Sequence, residues 1–239
     1  MARIISRSPV FLGLGSLIAA AALASAACSQ PSQTTVPAAE SPSPPAPPGA
    51  VRVVVLGDSL AAGLGLAADE AFPAVVERLL RDRGRDVEVV NAGVSGDTSA
   101  GGLARLDWVL RQEPHILVVE LGGNDALRGQ DLEATEANLR SIVRRGRAAG
   151  ARVLLLGMDV PSNYGPDYGS RFAALYERLA AEEGVTLVPG FVREVGSDPS
   201  LLQGDGLHPT AEGQRRLAET LLPHLESLLE VRSVDDDAA

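Results

Sequence analysis

Apolar and polar positions alternate along this chain so as to set out strands and helices in turn. Val51–Gly57 is a short apolar run rich in β-branched residues, the length of a buried strand. Phe72, Val75, Val76, Leu79 and Leu80 follow at helical spacing, and Val87–Asn91 reads as a second strand. Leu103, Leu106, Val109 and Leu110 mark another helix, and His115–Leu121 is the clearest buried strand. Leu132, Leu139, Ile142 and Val143 predict a helix that stops near Gly150. Arg152–Met158 is a fourth strand, Phe172–Gly184 a helix and Val185–Pro189 a fifth strand. A last helix runs from about Pro209, a residue suited to a helix start, to Leu229. Strands alternating with helices predict an α/β domain over 51–232, with a five-stranded parallel sheet and helices on both faces.

The flanks read differently. Residues 1–27 hold Arg3 and Arg7, then an apolar stretch from Val10 that ends in the small residues Ala24-Ser25-Ala26-Ala27, the pattern of a cleaved secretory signal. An uncleaved anchor is the rival reading, since the stretch is about the length of a short membrane span. Residues 28–50 join this signal to the domain. Ser29–Ala50 contains seven of the sixteen prolines and one charged residue, Glu40. Such a segment has too little apolar surface to fold and favours extended polyproline conformations; its 22 residues could span up to ~70 Å. Residues 233–239, with Asp235-Asp236-Asp237, read as a solvated acidic tail.

Composition removes several function classes. All 21 basic residues are arginine, so neither a P-loop lysine nor Schiff-base chemistry through lysine is available. One cysteine, Cys28, permits neither an intrachain disulfide nor a CxxC metal site. The histidines at 115, 208 and 224 are widely spaced and form no HExxH pattern, so no metal or other cofactor is expected. Net charge is −10, and loss of the first 27 residues would take it to −12. No nucleic-acid partner is expected, because phosphate neutralisation would have to supply most of the affinity. No heptad seam or other interface signal stands out, so a monomer is the default.

In open α/β sheets, ligands bind beyond the carboxyl ends of the strands. Here those ends carry Gly57-Asp58-Ser59-Leu60, then Asn91-Ala92-Gly93-Val94-Ser95-Gly96-Asp97-Thr98-Ser99, then Gly122-Gly123-Asn124-Asp125 and, past the last strand, Asp205-Gly206-Leu207-His208-Pro209. A nucleophile, backbone donors, a side-chain amide and an Asp/His pair thus converge on one rim.

These blocks, in this order across 53–209, resemble the GDSL or SGNH hydrolase family, whose four signature residues match as Ser59, Gly96, Asn124 and His208. Val-Ser-Gly-Asp-Thr-Ser, Glu-Leu-Gly-Gly-Asn-Asp and Pro-Ser-Asn-Tyr-Gly further resemble the bacterial acyl-CoA thioesterase, lysophospholipase and arylesterase branch. The resemblance implies a three-layer, flavodoxin-like fold and a serine hydrolase acting on a small acyl ester, thioester or lysophospholipid. Triad logic then casts Ser59 as nucleophile, His208 as general base and Asp205 as the group that orients the imidazole. The oxyanion donors would be the Ser59 and Gly96 backbone N–H groups and the Asn124 amide. With no GxSxG elbow, the usual α/β-hydrolase arrangement is excluded. Ala126 and Leu127, Val160 and Tyr164, and Leu207 are candidate acyl-pocket residues. Cys28 after the small-residue run resembles a bacterial lipoprotein signal, with Ser25 where that pattern usually has Leu; it implies an exported, envelope or periplasmic enzyme tethered to membrane through lipidated Cys28.

Blander readings stand beside these. Asp97-Thr98-Ser99 reads as a helix cap, His115 as a structural residue, His224 as a helix-surface residue, and Tyr164 and Tyr168 as either pocket wall or loop. A carbohydrate O-deacetylase is the alternative hydrolase, although Trp108 alone makes no sugar platform. A flavodoxin-like nucleotide-binding module would need phosphate donors after strand one, where Asp58 places an acid. A binding lipoprotein with a dead site conflicts with the complete Ser, Gly, Asn, Asp, His set.

Overall fold

The structure, a computed structural model, describes residues 49–160 and 164–236. The signal-like segment, Cys28 and the linker up to Pro48 lie outside the described residues, as do Pro161–Asn163 and Asp237–Ala239. Among the described residues, five strands form one sheet: β1 (Val51–Gly57), β2 (Val87–Gly93), β3 (Ile116–Glu120), β4 (Arg152–Leu156) and β5 (Thr186–Val188). Their order is β2-β1-β3-β4-β5 and every pairing is parallel. Gly57 lies opposite Gly93 on one side and Glu120 on the other, so three strands end level with one another. That shared edge is where the chemistry-bearing blocks emerge.

Alternate residues of each central strand feed two cores, as the period-2 pleat requires. Val53 and Val55 of β1, Ile116 and Val118 of β3, and Leu154 and Leu156 of β4 pack in one core with α2 (Phe72–Asp82), α8 (Arg193–Ser197) and α9 (Ala211–Asp236). Val54, Leu56, Leu117, Val119, Val153 and Leu155 face the opposite layer, which includes α4 (Leu106–Leu110), α6 (Leu132–Ala148) and α7 (Pro166–Glu183). The three-layer α/β architecture is the one the sequence predicts. Burial on both faces explains why β3 reads as a continuous apolar run rather than an alternating one.

Several boundaries differ from expectation, each for a local reason. The helix expected through Leu103–Leu110 is two pieces, α3 (Ser99–Ala104) and α4, broken at Arg105. Its guanidinium is pulled to the sheet edge, donating to the Ala92 and Gly57 carbonyls at 2.6 and 2.9 Å, and Gly101-Gly102 weakens the preceding turn. Helix α7 starts at Pro166, six residues before Phe172, because Pro suits the first helical turn. The last helix starts at Ala211 rather than Pro209: Thr210 Oγ1 accepts the Gly213 N–H, while Pro209 bridges Leu202. It also continues to Asp236, past the expected end at Leu229 and into the stretch expected as a tail. His115 is structural, its Nδ1 accepting the Arg52 N–H at 2.9 Å, and Thr98 caps α3 through Gly101 N–H.

One buried side chain joins the two ends of the domain. Gln214 on α9 accepts the Phe72 N–H through Oε1 at 2.9 Å and donates through Nε2 to the Leu60 carbonyl at 3.0 Å. Gln214→Leu keeps the bulk and removes both bonds. It should destabilise the domain by about 1–3 kcal/mol for each buried group left unpaired, read as a lower urea midpoint at unchanged slope. An unchanged midpoint would mean that those groups find other partners.

Candidate active site

The end of β1 turns at once into a four-residue helix, α1 (Ser59–Ala62), with Asp58 as its N-cap. Such a short helix leaves its first amides without intrahelical acceptors. Asp58 Oδ1 accepts the Leu60 N–H at 3.0 Å, Glu120 Oε2 accepts that of Ala61 at 3.3 Å, and the Asp58 carbonyl accepts that of Ala62. The Ser59 N–H is the remaining amide of that turn. Ser59 itself is buried at the sheet edge, with 8% of its surface exposed.

His208 reaches Ser59 from the loop before α9, its Nε2 lying 3.0 Å from Ser59 Oγ. On the other side of the ring, Nδ1 lies 2.6 Å from Asp205 Oδ2. Asp205 Oδ1 accepts the backbone N–H groups of Leu207 at 2.9 Å and His208 at 3.0 Å. The His208 N–H, the His208 ring and the Leu207 N–H, in that order, hold the Asp205 carboxyl well below the usual carboxylate range. An ionised carboxylate only accepts, so Nδ1 carries the imidazole proton and Nε2 presents its lone pair to the Ser59 hydroxyl. The three-residue spacing works because one carboxylate caps its own turn and orients the ring at once. Gln203 clasps this loop to the turn that follows α1, its Nε2 donating to the Leu64 and Pro209 carbonyls at 2.8 Å each.

Across the rim lie Gly96 and Asn124. Gly96 has φ +82°, a conformation that favours glycine, and a Cβ there would sit 3.4 Å from Arg128 Nη2. Its loop is tied down on every side. Arg105 Nε bonds Asp97 at 2.6 Å, Arg128 Nη2 bonds the Gly96 carbonyl at 2.7 Å, and buried Asp125 accepts Ser99 N–H at 2.7 Å and Ser99 Oγ–H at 2.5 Å. Asn124, on α5 (Gly123–Leu127), donates one Nδ2–H to Asp58 Oδ2 at 2.9 Å. The other Nδ2–H is left for a ligand. All five expected site residues are therefore on one rim. Together they can deprotonate a hydroxyl beside a set of N–H donors, which is the chemistry of acyl transfer.

The expected acyl-pocket residues are placed unevenly. Leu207 is 43% exposed, and Leu64 and Val94 are also exposed large apolar residues beside the site. Leu127 and Tyr164 are half-buried, and the Tyr164 hydroxyl donates to the Leu127 carbonyl at 3.1 Å. Val160 packs against the core from its edge. Ala126 is wholly buried in that core, so its methyl has no surface to offer a ligand in this conformation. Sequence reasoning missed Glu120, Arg105 and Asp125. For Glu120 the available signals were its charge in the apolar run Ile116–Leu121 and its place in the Glu-Leu-Gly-Gly-Asn-Asp block.

The sequence profile of the GDSL-like lipase/acylhydrolase family matches residues 55–216. The chain is 47% identical over 181 residues to esterase TesA of Pseudomonas aeruginosa, covering 75% of this chain and 90% of that one. It is 44% identical over 179 residues to the thioesterase 1/protease 1/lysophospholipase L1 of Escherichia coli K12, covering 74% and 84% respectively. A crystal structure of TesA superposes with a TM-score of 0.72 at 47% identity, over 74% of this chain and 99% of that chain.

Asp205→Asn can still accept the two loop N–H groups, but its amide would face Nδ1 and turn the Nε2–H toward Ser59. Ester hydrolysis should then fall by ~10⁴ in kcat with little change in melting temperature. A folded Asp205→Asn protein with near-normal kcat would remove Asp205 from the relay.

Proposed function

The chain belongs to the GDSL-like lipase/acylhydrolase family and is a serine esterase and thioesterase of acyl substrates, and we propose that Ser59, His208 and Asp205 carry its chemistry from a lipid-tethered position in the cell envelope. The reading rests on one observation above the others: His208 Nε2 is 3.0 Å from Ser59 Oγ while Nδ1 is 2.6 Å from an acceptor-only carboxylate.

In the first half-reaction His208 takes the Ser59 proton as Oγ attacks the acyl carbonyl carbon. The carbonyl π electrons move to oxygen, and that oxyanion is met by the Ser59 and Gly96 N–H groups and the free Nδ2–H of Asn124. Collapse expels the alcohol or thiol, which receives the proton from Nε2. A thiol near pKa ~8.5 leaves with less need of that proton than an alcohol, so one site can serve esters and thioesters. Water then attacks the acyl-enzyme, with His208 again as base. The donors favour the transition state because negative charge is fully developed only there.

For the natural substrate we favour a medium- or long-chain ester or lysolipid of the envelope. Leu64, Val94 and Leu207 support an apolar acyl group at the rim. Export would separate the enzyme from cytoplasmic acyl-CoA. Cys28 supports the tether, as the sole cysteine of the chain placed directly after a signal-like segment. A carbohydrate O-deacetylase gains nothing, since Trp108 is half-buried against the core on α4.

Both parts are testable on the full-length protein expressed in a bacterial host. Lysophospholipid and p-nitrophenyl esters of increasing chain length should be hydrolysed better than acetyl esters; activity confined to acetyl esters would favour the deacetylase. Wild type should fractionate with membranes and partition into detergent, and Cys28→Ala should not carry lipid mass. Wild type free of lipid in the periplasm would overturn the tether and leave the hydrolase chemistry untouched.

A further inference from the structure

Glu120 ends β3 directly beneath the α1 turn and is completely buried. Its Oε2 accepts two backbone N–H groups, from Asp58 at 3.0 Å and Ala61 at 3.3 Å. A Cβ at Gly57 would come within 2.5 Å of that same oxygen, so the close fit requires glycine there. Oε1 is equally buried and no donor reaches it. Beside it lies the Asp58 carboxyl, whose charge pushes the Glu120 carboxyl up. Two neighbouring buried carboxylates repel each other, and a buried carboxylate oxygen with no donor is costly. Both problems vanish if Oε1 is a hydroxyl.

We propose that Glu120 is a positioning residue that works un-ionised, its Oε1–H donating to Asp58 so that Asp58 remains the carboxylate that fixes the Asn124 amide. The inference rests on the serine-hydrolase reading and adds a residue to it. A carboxylate only accepts hydrogen bonds. Asp58 Oδ2 therefore selects the amide orientation with Nδ2 toward it, and planarity then sets the direction of the second Nδ2–H, the one left for the oxyanion. A protonated Asp58 could donate instead and would admit the flipped amide, which presents oxygen where a donor is needed. Asp58 also receives the Leu60 N–H, so the Glu120 hydroxyl completes a set of three donors holding its charge.

The surroundings favour this division of charge. Burial first, and then the Asp58 charge, pushes the Glu120 carboxyl well above the usual carboxylate range. Burial raises Asp58 too, but the Leu60 N–H, the Asn124 amide and His208 pull it back. The other ionisable groups nearby do not compensate a Glu120 charge. Tyr176 of α7 is buried, is itself raised well above its ordinary value and donates to the Leu121 carbonyl at 2.8 Å. Arg105 is occupied by Asp97 and two backbone carbonyls. Asp97 and Asp125 add negative charge to the neighbourhood.

Glu120→Gln is the discriminating variant, because an amide imitates the neutral acid: its oxygen accepts the two N–H groups and its NH₂ donates to Asp58. E120Q should keep kcat and KM within threefold of wild type at neutral pH, whereas E120A should lose at least tenfold in kcat with KM little changed. At alkaline pH wild-type kcat should decline as Glu120 ionises beside Asp58, and E120Q should hold its rate. Stability gives an independent readout. A carboxyl with a raised native pKa binds its proton more tightly when folded, so wild type loses stability as pH climbs above the unfolded value. The melting temperature of E120Q relative to wild type should therefore rise with pH. Infrared spectra of wild type at neutral pH should contain a protonated-carboxyl band that E120Q lacks. If E120A does not fold, the E120Q rate, pH profile and spectrum decide alone. Loss of kcat in E120Q matching that of E120A, a melting-temperature gap that narrows with pH, or no E120Q-sensitive band would each overturn the proposal. Equal kcat in folded E120A would reduce Glu120 to a structural residue. None of these results bears on whether Ser59 is the nucleophile.

Discussion

A single hydrogen bond, His208 Nε2 to Ser59 Oγ at 3.0 Å, joins residues 149 apart in the chain, and most of the architecture can be understood as what holds it. Contacts over such a separation must offset a large loss of chain entropy. The parallel sheet does so by bringing the ends of β1, β2 and β3 level, which delivers Ser59, the Gly96 loop and Asn124 to one edge. His208 arrives by another route, on a loop clasped by Gln203 to Leu64 in the turn after α1 and followed by α9, which Gln214 ties to α1 and to the start of α2.

Beneath that edge the protein departs from ordinary core chemistry. Asp58, Glu120 and Asp125 are all buried, each on or next to a strand end that carries a candidate site residue. Burying acids is unfavourable unless each finds partners, and here the partners are the backbone N–H groups of the catalytic loops themselves. Asp125 holds Ser99, Glu120 holds Asp58 and Ala61, and Asp58 holds Leu60 and Asn124. The side chains thus spend their hydrogen bonds on the two strand-end turns that must not move. Donors fixed before the substrate arrives need no reorganisation as charge develops. Asp205 contrasts with them: its side chain is about half exposed, and its ionised state comes from local hydrogen bonds rather than from burial.

The fold and the candidate site residues were legible in the sequence to different depths. Strand and helix positions followed from periodicity because both faces of the sheet are covered, which makes Val51–Gly57 and His115–Leu121 stand out as apolar runs. The break at Arg105 was not legible, since it depends on carbonyls of β1 and β2 that no local pattern reveals. The same holds for Gln214, whose partners are more than 140 residues away. Ser59, Gly96, Asn124, Asp205 and His208 were visible as ordered blocks at strand ends. The roles of the residues that orient them were hidden: both lie in the Glu-Leu-Gly-Gly-Asn-Asp block, but Asp125 reads there as a turn residue and Glu120 as a charge where an apolar residue would be expected. Ala126 misled for a related reason, because adjacency to Asn124 says nothing about which side of α5 turns inward.

The account stands or falls on a covalent step at Ser59. Rapid acid quenching during turnover of a p-nitrophenyl ester, followed by intact-mass measurement and peptide mapping, tests it directly. The account predicts a transient acyl adduct on the peptide carrying Ser59, absent from Ser59→Ala. Undiminished turnover by Ser59→Ala, or an adduct mapped to another residue, would contradict it.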